Sequence, residues 1–262
     1  KNEVRSGGKP KETAKRYRHY TDLLANKDID AVIVSTPDHW HSRVAIDAAK
    51  AGKHVYCEKG LTRTFNEALD LYDTIKETGI TFQLGHQNRQ VEAYEQAKKI
   101  INQNLLGPIN LVQLTTNRNS PGGAWVWGIH PEGNAKTIDW ETFQEPSPNK
   151  IPFGEEALRR FFRWRCWFDY GTGLSGDLFS HDFDQINQIM GLGIPKYASS
   201  SGGIYFYKDG RDVPDVWNAT LEYPDKDLTV LYSATLSSLN SRGNRIMGHD
   251  ATMQIGGESN AG

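Results

Sequence analysis

Hydrophobic and polar positions in the first 107 residues follow two alternating patterns, short apolar runs and longer stretches with helical periodicity. The apolar runs predict three strands, over residues 31–34, 54–57 and 80–84. The first run is β-branched and predicts a strand buried on both faces. The periodic stretches predict four helices, over residues 9–27, 38–51, 64–78 and 91–104. Units repeating about every 25 residues predict parallel strands with right-handed crossovers, a doubly wound α/β layer.

After residue 108 the pattern changes to strand-like alternation around one long irregular segment. Residues 109–116 alternate as a strand, and residues 118–153 are rich in Pro, Gly and Asn. The tryptophans of that segment favour packing or substrate contact over disorder: Trp125, Trp127 and Trp140. A helix over 174–190 precedes strands near 197–207, 215–223 and 228–237, which predict a mostly antiparallel sheet. We therefore expect an α/β domain over residues 1–107 and an α+β domain over residues 108–262.

Composition and charge narrow the function classes. The chain of 262 residues carries 30 Lys and Arg against 32 Asp and Glu, which argues against a dedicated nucleic-acid binder. No apolar run approaches the roughly 20 residues that a membrane-spanning helix needs. The two cysteines include no Cys-x-x-Cys, so a thiolate zinc site and a disulfide scaffold are excluded.

The carboxyl ends of the three predicted strands are polar. They carry Ser35-Thr36-Pro37, Glu58-Lys59-Gly60 and the segment 85–89. Parallel sheets bind ligands at this edge, so a crevice is expected here. Lys59 would point into it and could anchor a cofactor or substrate, or stabilise an alkoxide. The alternative is a lysine at the rim that is paired with an acid.

The predicted helix 174–190 begins with a second group of titratable residues. Asp177, His181 and Asp184 are spaced four and three apart, so they share one helical face. A histidine flanked by carboxylates is a candidate general base with an orienting acid. The structural alternative is an acid that complements the helix dipole, beside a hydrogen-bonded core histidine.

Several other sites are disfavoured. His39 and His41, with His54 and His86, suggest a metal site, but no helix-borne His-Glu-x-x-His accompanies them, so a polar loop lining a nucleotide crevice explains them better. The chain contains no Gly-x-Ser-x-Gly elbow, which excludes a hydrolase of that type. It also contains no Gly-x-x-x-x-Gly-Lys-Ser/Thr phosphate loop, and no Gly-x-Gly-x-x-Gly occurs in the predicted βα units of residues 1–107.

Three segments, in order, resemble the Gfo/Idh/MocA family, named for glucose–fructose oxidoreductase and inositol dehydrogenase. They are residues 30–41 with Ser-Thr-Pro-Asp-His-Trp-His, residues 51–59 ending in Cys-Glu-Lys, and residues 176–184 with Gly-Asp-Leu-Phe-Ser-His. The similarity covers roughly residues 17–255. Residues 162–173 also resemble a subgroup that often carries an export signal, so the compartment stays open between the periplasm and the cytoplasm.

The resemblance implies a Rossmann domain that binds NAD or NADP, followed by an open-sheet α+β domain. The family's catalytic positions correspond to Lys59, Asp177 and His181. Its cofactor side corresponds to Thr36, Pro37, His41, Glu58 and Lys59. Candidates on the substrate side are Arg163, Arg165, Trp167, Tyr170 and Asp184, with domain-interface packing as the alternative for the first four.

Two departures from the family pattern are visible. Gly60 stands where the motif has proline, and glycine does not enforce the turn that proline would fix. The family's first strand and glycine-rich turn have no counterpart in these residues. A sheet without that strand would expose an apolar edge, so we expect the 262 residues not to form an autonomous enzyme.

The resemblance implies an NAD(P)-dependent oxidoreductase that transfers hydride between nicotinamide and a hydroxyl carbon of a sugar, polyol or sugar derivative. One alternative is an NAD-dependent glycoside hydrolase that oxidises its sugar transiently. Another is a non-catalytic binding or assembly subunit, suggested by Gly60 and the missing dinucleotide fingerprint. Expected partners are a small carbohydrate and further copies of the chain as a homo-oligomer, with no nucleic acid, membrane span or metal.

Overall fold

The first sheet contains three parallel strands in the order β1–β2–β3. We describe residues 14–239 and 243–255 of a computed structural model. The strands are β1 (Ala31–Val34), β2 (His54–Glu58) and β3 (Phe82–Gly85). Their pairing is parallel throughout, with Val34 beside Cys57 and Glu58 beside Gly85. The predicted parallel α/β layer is therefore confirmed, and its carboxyl ends lie at one edge.

Helices connect these strands where the periodicity predicts them. In chain order they are α1 (Tyr20–Ala25), α2 (Asp38–Lys50), α3 (Phe65–Thr78) and, after β3, α4 (Glu92–Asn102). The capping box at α3 is present, because Thr64 Oγ1 accepts from Glu67 N while the Glu67 carboxylate accepts from Thr64 N. Gly79 ends α3 with φ of 65°, a left-handed conformation that suits glycine.

Two predictions for this part are wrong. Of the helix predicted over residues 9–27, residues 9–13 lie outside the described residues, and the described part contains only α1. Leu24 is the one buried residue of α1, so little apolar burial favours a longer helix. Strand β1 is also not buried on both faces, since the Ile33 side chain is 76% exposed. Within the described residues β1 pairs with β2 alone and is an edge strand.

The second sheet contains six strands in the order β5–β6–β7–β4–β8–β9. They are β4 (Ile109–Asn117), β5 (Tyr197–Gly203), β6 (Val216–Tyr223), β7 (Leu228–Thr235), β8 (Asn244–Gly248) and β9 (Thr252–Ile255). Only the β4–β7 pair is parallel, so the mostly antiparallel sheet is confirmed. Its core is filled by Val112, Val230 and Ile246, with Ile186 from the helix that covers it. The domain boundary that we predict at residues 107/108 falls between α4 and β4.

The irregular segment 118–153 packs largely against the second core. Trp125 and Trp140 are each 3% exposed, and the Trp140 indole donates to the carbonyl of Ile151 at 2.8 Å. Trp127, by contrast, is 48% exposed. The segment contains one short helix, α5 (Trp140–Gln144), and a second, α6 (Glu155–Phe162), follows it.

The helix predicted over 174–190 has two parts. A π-helical turn, Ser175–Phe179, precedes α7 (Ser180–Met190), and Gly191 ends α7 with φ of 63°. The wider turn changes the simple four-residue spacing on which the Asp177–His181 prediction rests. Across residues 14–239 and 243–255, no helix combines the length and apolar character needed to cross a membrane.

Candidate functional site

A cavity of about 470 Å³ opens at the carboxyl ends of β1 and β2. This volume is typical of sites for small ligands. One wall comes from the strand ends and the other from the segment between α6 and the π-helical turn. The lining residues are Ser35, Thr36, Pro37, Asp38, Glu58, Lys59, Trp164 and Arg165. The crevice expected at the carboxyl ends of the parallel strands is thus present, and the second part of the chain contributes one of its walls.

Lys59, which lines this cavity, contacts Asp177 although 118 residues separate the two in the sequence. Lys59 Nζ lies 2.5 Å from Asp177 Oδ1 and 3.1 Å from the Asp177 carbonyl oxygen. Arg165 Nε donates to the same carboxylate oxygen at 3.1 Å. Burial would raise the pKa of Asp177, but the Lys59 ammonium and the Arg165 guanidinium outweigh it and hold the pKa below its ordinary value. Asp177 is therefore a carboxylate shared by two cations.

His181 lies one turn beyond Asp177 and is partly buried. Its Nδ1 atom is buried and has no hydrogen-bond partner among the described residues. Burial and the nearby Lys59 and His86 lower the pKa of His181 to about 4, against a smaller opposing effect of Asp177. The imidazole is therefore neutral at pH 7 and can accept a proton. The Asp177 carboxylate accepts hydrogen bonds from Lys59 and Arg165, and the predicted hydrogen bond from His181 to this orienting acid is not formed.

The two strand-end turns are joined by His41, which is 1% exposed. Its Nε2 lies 2.6 Å from the carbonyl oxygen of Thr36, and its Nδ1 lies 2.8 Å from that of Gly60. His39 binds the carbonyl of Phe143 in the same way, at 2.6 Å. Within the described part of the chain, no three His, Cys, Asp or Glu side chains are grouped so as to hold a metal ion.

Gly60 lies against a polar pair that the sequence analysis missed. Thr172 Oγ1 donates to the buried Asp38 carboxylate at 2.7 Å. A Cβ atom on Gly60 would lie 2.8 Å from Thr172 Oγ1 and 3.3 Å from the carbonyl oxygen of Gly176. The Lys59–Gly60 peptide bond is cis. The position of Asp38 directly after the Thr36-Pro37 turn could have marked it as a candidate site residue. Its partner Thr172 lies 134 residues later in the sequence, so the sequence could not show the contact.

We expect Gly60→Ala to reduce the free energy of unfolding by about 1–3 kcal/mol, because the added methyl group overpacks this contact. Urea denaturation would measure the loss. Gly128→Ala is the matched control, since a Cβ there meets nothing within 4 Å. Removing Thr172 Oγ1 should make room, so the double variant Gly60→Ala/Thr172→Ala should lose less than the sum of the single losses. Additive losses would contradict the proposed contact.

Some of the remaining site residues predicted from the sequence line the cavity, and others do not. Thr36, Pro37 and Glu58 line the cavity together with Arg165. Arg163 instead donates from Nε to the carbonyl oxygen of Trp127 at 2.7 Å.

Three of the substrate-side candidates are engaged elsewhere. Trp167 and Tyr170, at 3% and 0% exposure, belong to the core of the second sheet, because their rings pack among its apolar side chains. Packing, the alternative raised for them, describes both better than substrate contact. Asp184 is held in an ion pair with Arg89, with Nη2 and Oδ1 2.6 Å apart. That pair occupies the carboxylate that we expected to face substrate.

The chain is similar in sequence to known oxidoreductases. Residues 9–86 match the model of the GFO_IDH_MocA oxidoreductase family, described as an NAD-binding Rossmann fold. Levoglucosan dehydrogenase of Pseudarthrobacter phenanthrenivorans is 28% identical over 70% of this chain and 41% of its own length. The 2,7-anhydro-N-acetylneuraminate hydratase of Escherichia coli is 32% identical over 80% of this chain and 46% of its own. The chain thus spans about half the length of the curated relatives it matches.

Solved structures support the fold over nearly the whole chain. The WlbA dehydrogenase of Chromobacterium violaceum, solved in complex with NADH and UDP-GlcNAcA, superposes with a TM-score of 0.68 at 17% identity. The match covers 92% of this chain and 60% of that one. At this identity the similarity establishes the shared fold alone. The family match over residues 9–86 places the first part of the chain in the Gfo/Idh/MocA family of oxidoreductases.

Proposed function

We propose that the protein transfers hydride between a nicotinamide cofactor, NAD or NADP, and a hydroxyl carbon of a sugar, polyol or sugar derivative. The observation that carries this proposal is the Lys59–Asp177 pair at the cavity, with the neutral His181 one turn away. Oxidation of an alcohol releases a proton and a hydride; the hydride goes to the nicotinamide, and a cation beside the oxygen with a nearby proton acceptor assists loss of the proton. Two relatives whose names describe carbohydrate chemistry support the substrate class.

The residues at the cavity fit a nicotinamide nucleotide. Ser35 and Thr36 offer hydroxyls and Glu58 a carboxylate, which suit the hydroxyls of a ribose. Pro37 and Lys59 line the same wall of the cavity. The buried His41 ring holds the two turns of this wall together through hydrogen bonds to the carbonyl oxygens of Thr36 and Gly60. When bound, the nicotinamide supplies the carbon that gives or receives hydride.

The chain's own residues then have distinct roles in the proposed reaction. Lys59 carries three N–H donors, of which two bind the carboxylate and carbonyl of Asp177. The third donor remains for the oxygen of the reacting alcohol, where a fixed cation stabilises developing negative charge. His181 takes the hydroxyl proton in oxidation and returns it in reduction. Asp177 holds the Lys59 ammonium in position through its carboxylate and its carbonyl oxygen.

The proposal predicts that NADH binds with Glu58 in contact. NADH would be titrated into the complete protein and followed by energy transfer from tryptophan. We expect saturable binding that weakens roughly tenfold or more in Glu58→Ala, because one hydrogen bond to a charged group is lost. Glu222→Ala changes an exposed glutamate of β6 and should leave binding unchanged. An absence of NADH and NADPH binding to the complete protein would refute the proposal and favour the non-catalytic alternative.

A second candidate is a reaction in which oxidation is transient and the cofactor is regenerated in place. The 32% identity to a relative named as a hydratase supports it, because hydration involves no net oxidation. The glycoside hydrolase predicted as an alternative belongs to the same redox-neutral class. Product formed from an anhydro-sugar or glycoside without accumulation of NADH would favour this candidate over net oxidation.

The remaining expectations stay predictions from the resemblance. They concern the homo-oligomer, the lack of a nucleic-acid partner, the choice between NAD and NADP, and the compartment. Strand β5 supports a contact between copies, since six of its seven residues are exposed along the edge of the six-stranded sheet.

A further inference from the structure

A second imidazole packs directly against His181. His86 follows β3 at the carboxyl end of the first sheet and is 9% exposed. The centroids of the two rings lie 5.4 Å apart with the ring planes at 84°, an edge-to-face contact. The Nδ1 atoms of both rings are buried, and neither has a hydrogen-bond partner within the described residues. No feature of the proposed reaction so far uses His86.

The turn that carries His86 is anchored on α7. Arg89, in the 3₁₀ turn Gln87–Gln90, donates from Nε to both carboxylate oxygens of Asp184 at 2.9 Å and from Nη2 at 2.6 Å. Gln188 Nε2 donates to the carbonyl oxygen of Arg89 at 3.0 Å. Asp184 and Gln188 are three and seven residues after His181, on the same face of α7. These bonds therefore fix the position of His86 relative to His181.

We propose that His86 is a positioning residue for the base His181, whose ring it holds in one orientation and shields from water on one side. This inference rests on the proposed function, because it concerns the residue proposed to move the proton. Among residues 14–239 and 243–255 no third His, Cys, Asp or Glu joins the two imidazoles in a group that could hold a metal ion, so the proposal assigns no metal to them. No hydrogen bond joins the two rings, so direct proton transfer between them is not part of the proposal.

The charges around the pair are consistent with a base kept neutral. His181 faces Lys59, Asp177 and Arg118 in addition to His86. Burial lowers the pKa of His86, and the charges of Arg89 and Lys59 lower it further. The carboxylates of Asp184 and Glu58 oppose this effect without reversing it. An uncharged His86 next to an uncharged His181 avoids repulsion between two buried cations.

The test is a histidine NMR titration of the complete protein, with the His181 signal assigned through His181→Asn. In His86→Ala, water reaches the His181 ring, so its pKa should rise from about 4 towards the ordinary 6.5, by about one pH unit or more. His86→Phe preserves the packed ring and should keep the His181 pKa low. His249→Ala, which alters an exposed histidine, is the control and should change nothing at His181.

A His181 pKa that stays unchanged in folded His86→Ala would overturn the inference. Should that variant fail to fold, Arg89→Gln provides the second measurement. This variant retains the His86 side chain but removes the Arg89–Asp184 ion pair that anchors its turn. We therefore expect a smaller rise of the His181 pKa, and no rise would contradict the proposal. NADH binding, measured in parallel, separates the two hypotheses. A shifted pKa without any NADH binding would defeat the proposed function alone, whereas NADH binding with an unshifted pKa would defeat this inference alone.

Discussion

Replacing His181 by alanine in the complete protein should lower turnover of the sugar or polyol substrate by about 10²–10⁴-fold, the usual contribution of a positioned general base. The neutral imidazole is the one proton acceptor proposed for the reaction, and its pKa of about 4 leaves it unprotonated at pH 7. NADH affinity should stay within about threefold, because His181 does not line the cavity at the strand ends. Steady-state kinetics with the active substrate, together with the NADH titration, measure both effects.

The control for this experiment is His249→Ala, since the His249 side chain is 82% exposed and lies away from the cavity. It should retain full turnover. Turnover of His181→Ala equal to that of the unaltered protein would remove His181 from the proposed role. A loss of NADH binding in the same variant would point instead to a structural role for the side chain, because the cofactor turns would then depend on it.

Replacing Asp177 by alanine should cost about 3–5 kcal/mol of the free energy of unfolding, the range measured when one partner of a buried ion pair is removed. The side chains of Asp177 and Lys59 are 7% and 14% exposed, so the lysine would be left charged with little access to water. Arg165 would lose the same carboxylate oxygen. Turnover should also fall, since Lys59 would no longer be aimed at the reacting oxygen. Urea denaturation at pH 7 measures the stability.

The control is Glu145→Ala, which breaks an exposed pair with Arg43 whose side chains are 46% and 50% exposed. It should cost no more than about 1 kcal/mol, because exposed pairs contribute little. Comparable losses in the two variants would contradict the assignment of Asp177 to a buried, electrostatically important pair.

Acid pH provides an independent check on Asp177. The folded-state pKa of this carboxyl is held below its ordinary value of 3.8, so its contribution to stability is fully present above that pH. As the pH falls below 3.8 towards the folded-state pKa, the unfolded chain binds the proton more readily and the contribution is lost. We expect the difference in stability between the unaltered protein and Asp177→Ala to shrink over this acid range. A difference that did not change there would show that the charge of Asp177 is not what stabilises the fold.

Local chemistry determined much of the fold. Three features could be predicted because their residues lie within a few positions of one another along the chain. They are the β-branched run before Thr36, the capping box of α3 and the glycine that ends α3. Parallel pairing followed from the repeating βα units, because a helix between two successive strands returns the chain to the same end of the sheet. The crevice could be located for the same reason: the carboxyl ends of parallel strands meet at one edge. The motif order further indicated which lysine, aspartate and histidine to examine.

Tertiary structure decided what those residues contact. Asp177 binds Lys59 and Arg165, and His181 packs on His86, since contacts between distant segments depend on how the two sheets are joined and not on local spacing. A π-helical turn, which periodicity of 3.6 residues does not predict, sets the offset between Asp177 and His181.

Burial was equally inaccessible to the sequence. Tyr170 and Trp167 resemble sugar-contacting aromatics, yet the second core encloses them. Ile33 resembles a core residue, yet it is exposed on a strand that lies at the sheet edge within the described residues. Hydrophobicity indicates that a side chain gains from leaving water, whereas the surface that covers it is supplied by other parts of the chain. The sequence by itself therefore determined the βα units of the first sheet, the mostly antiparallel character of the second and the candidate chemistry of this protein. The long-range packing decided which charges pair, which imidazoles touch and which aromatic rings remain available to a ligand.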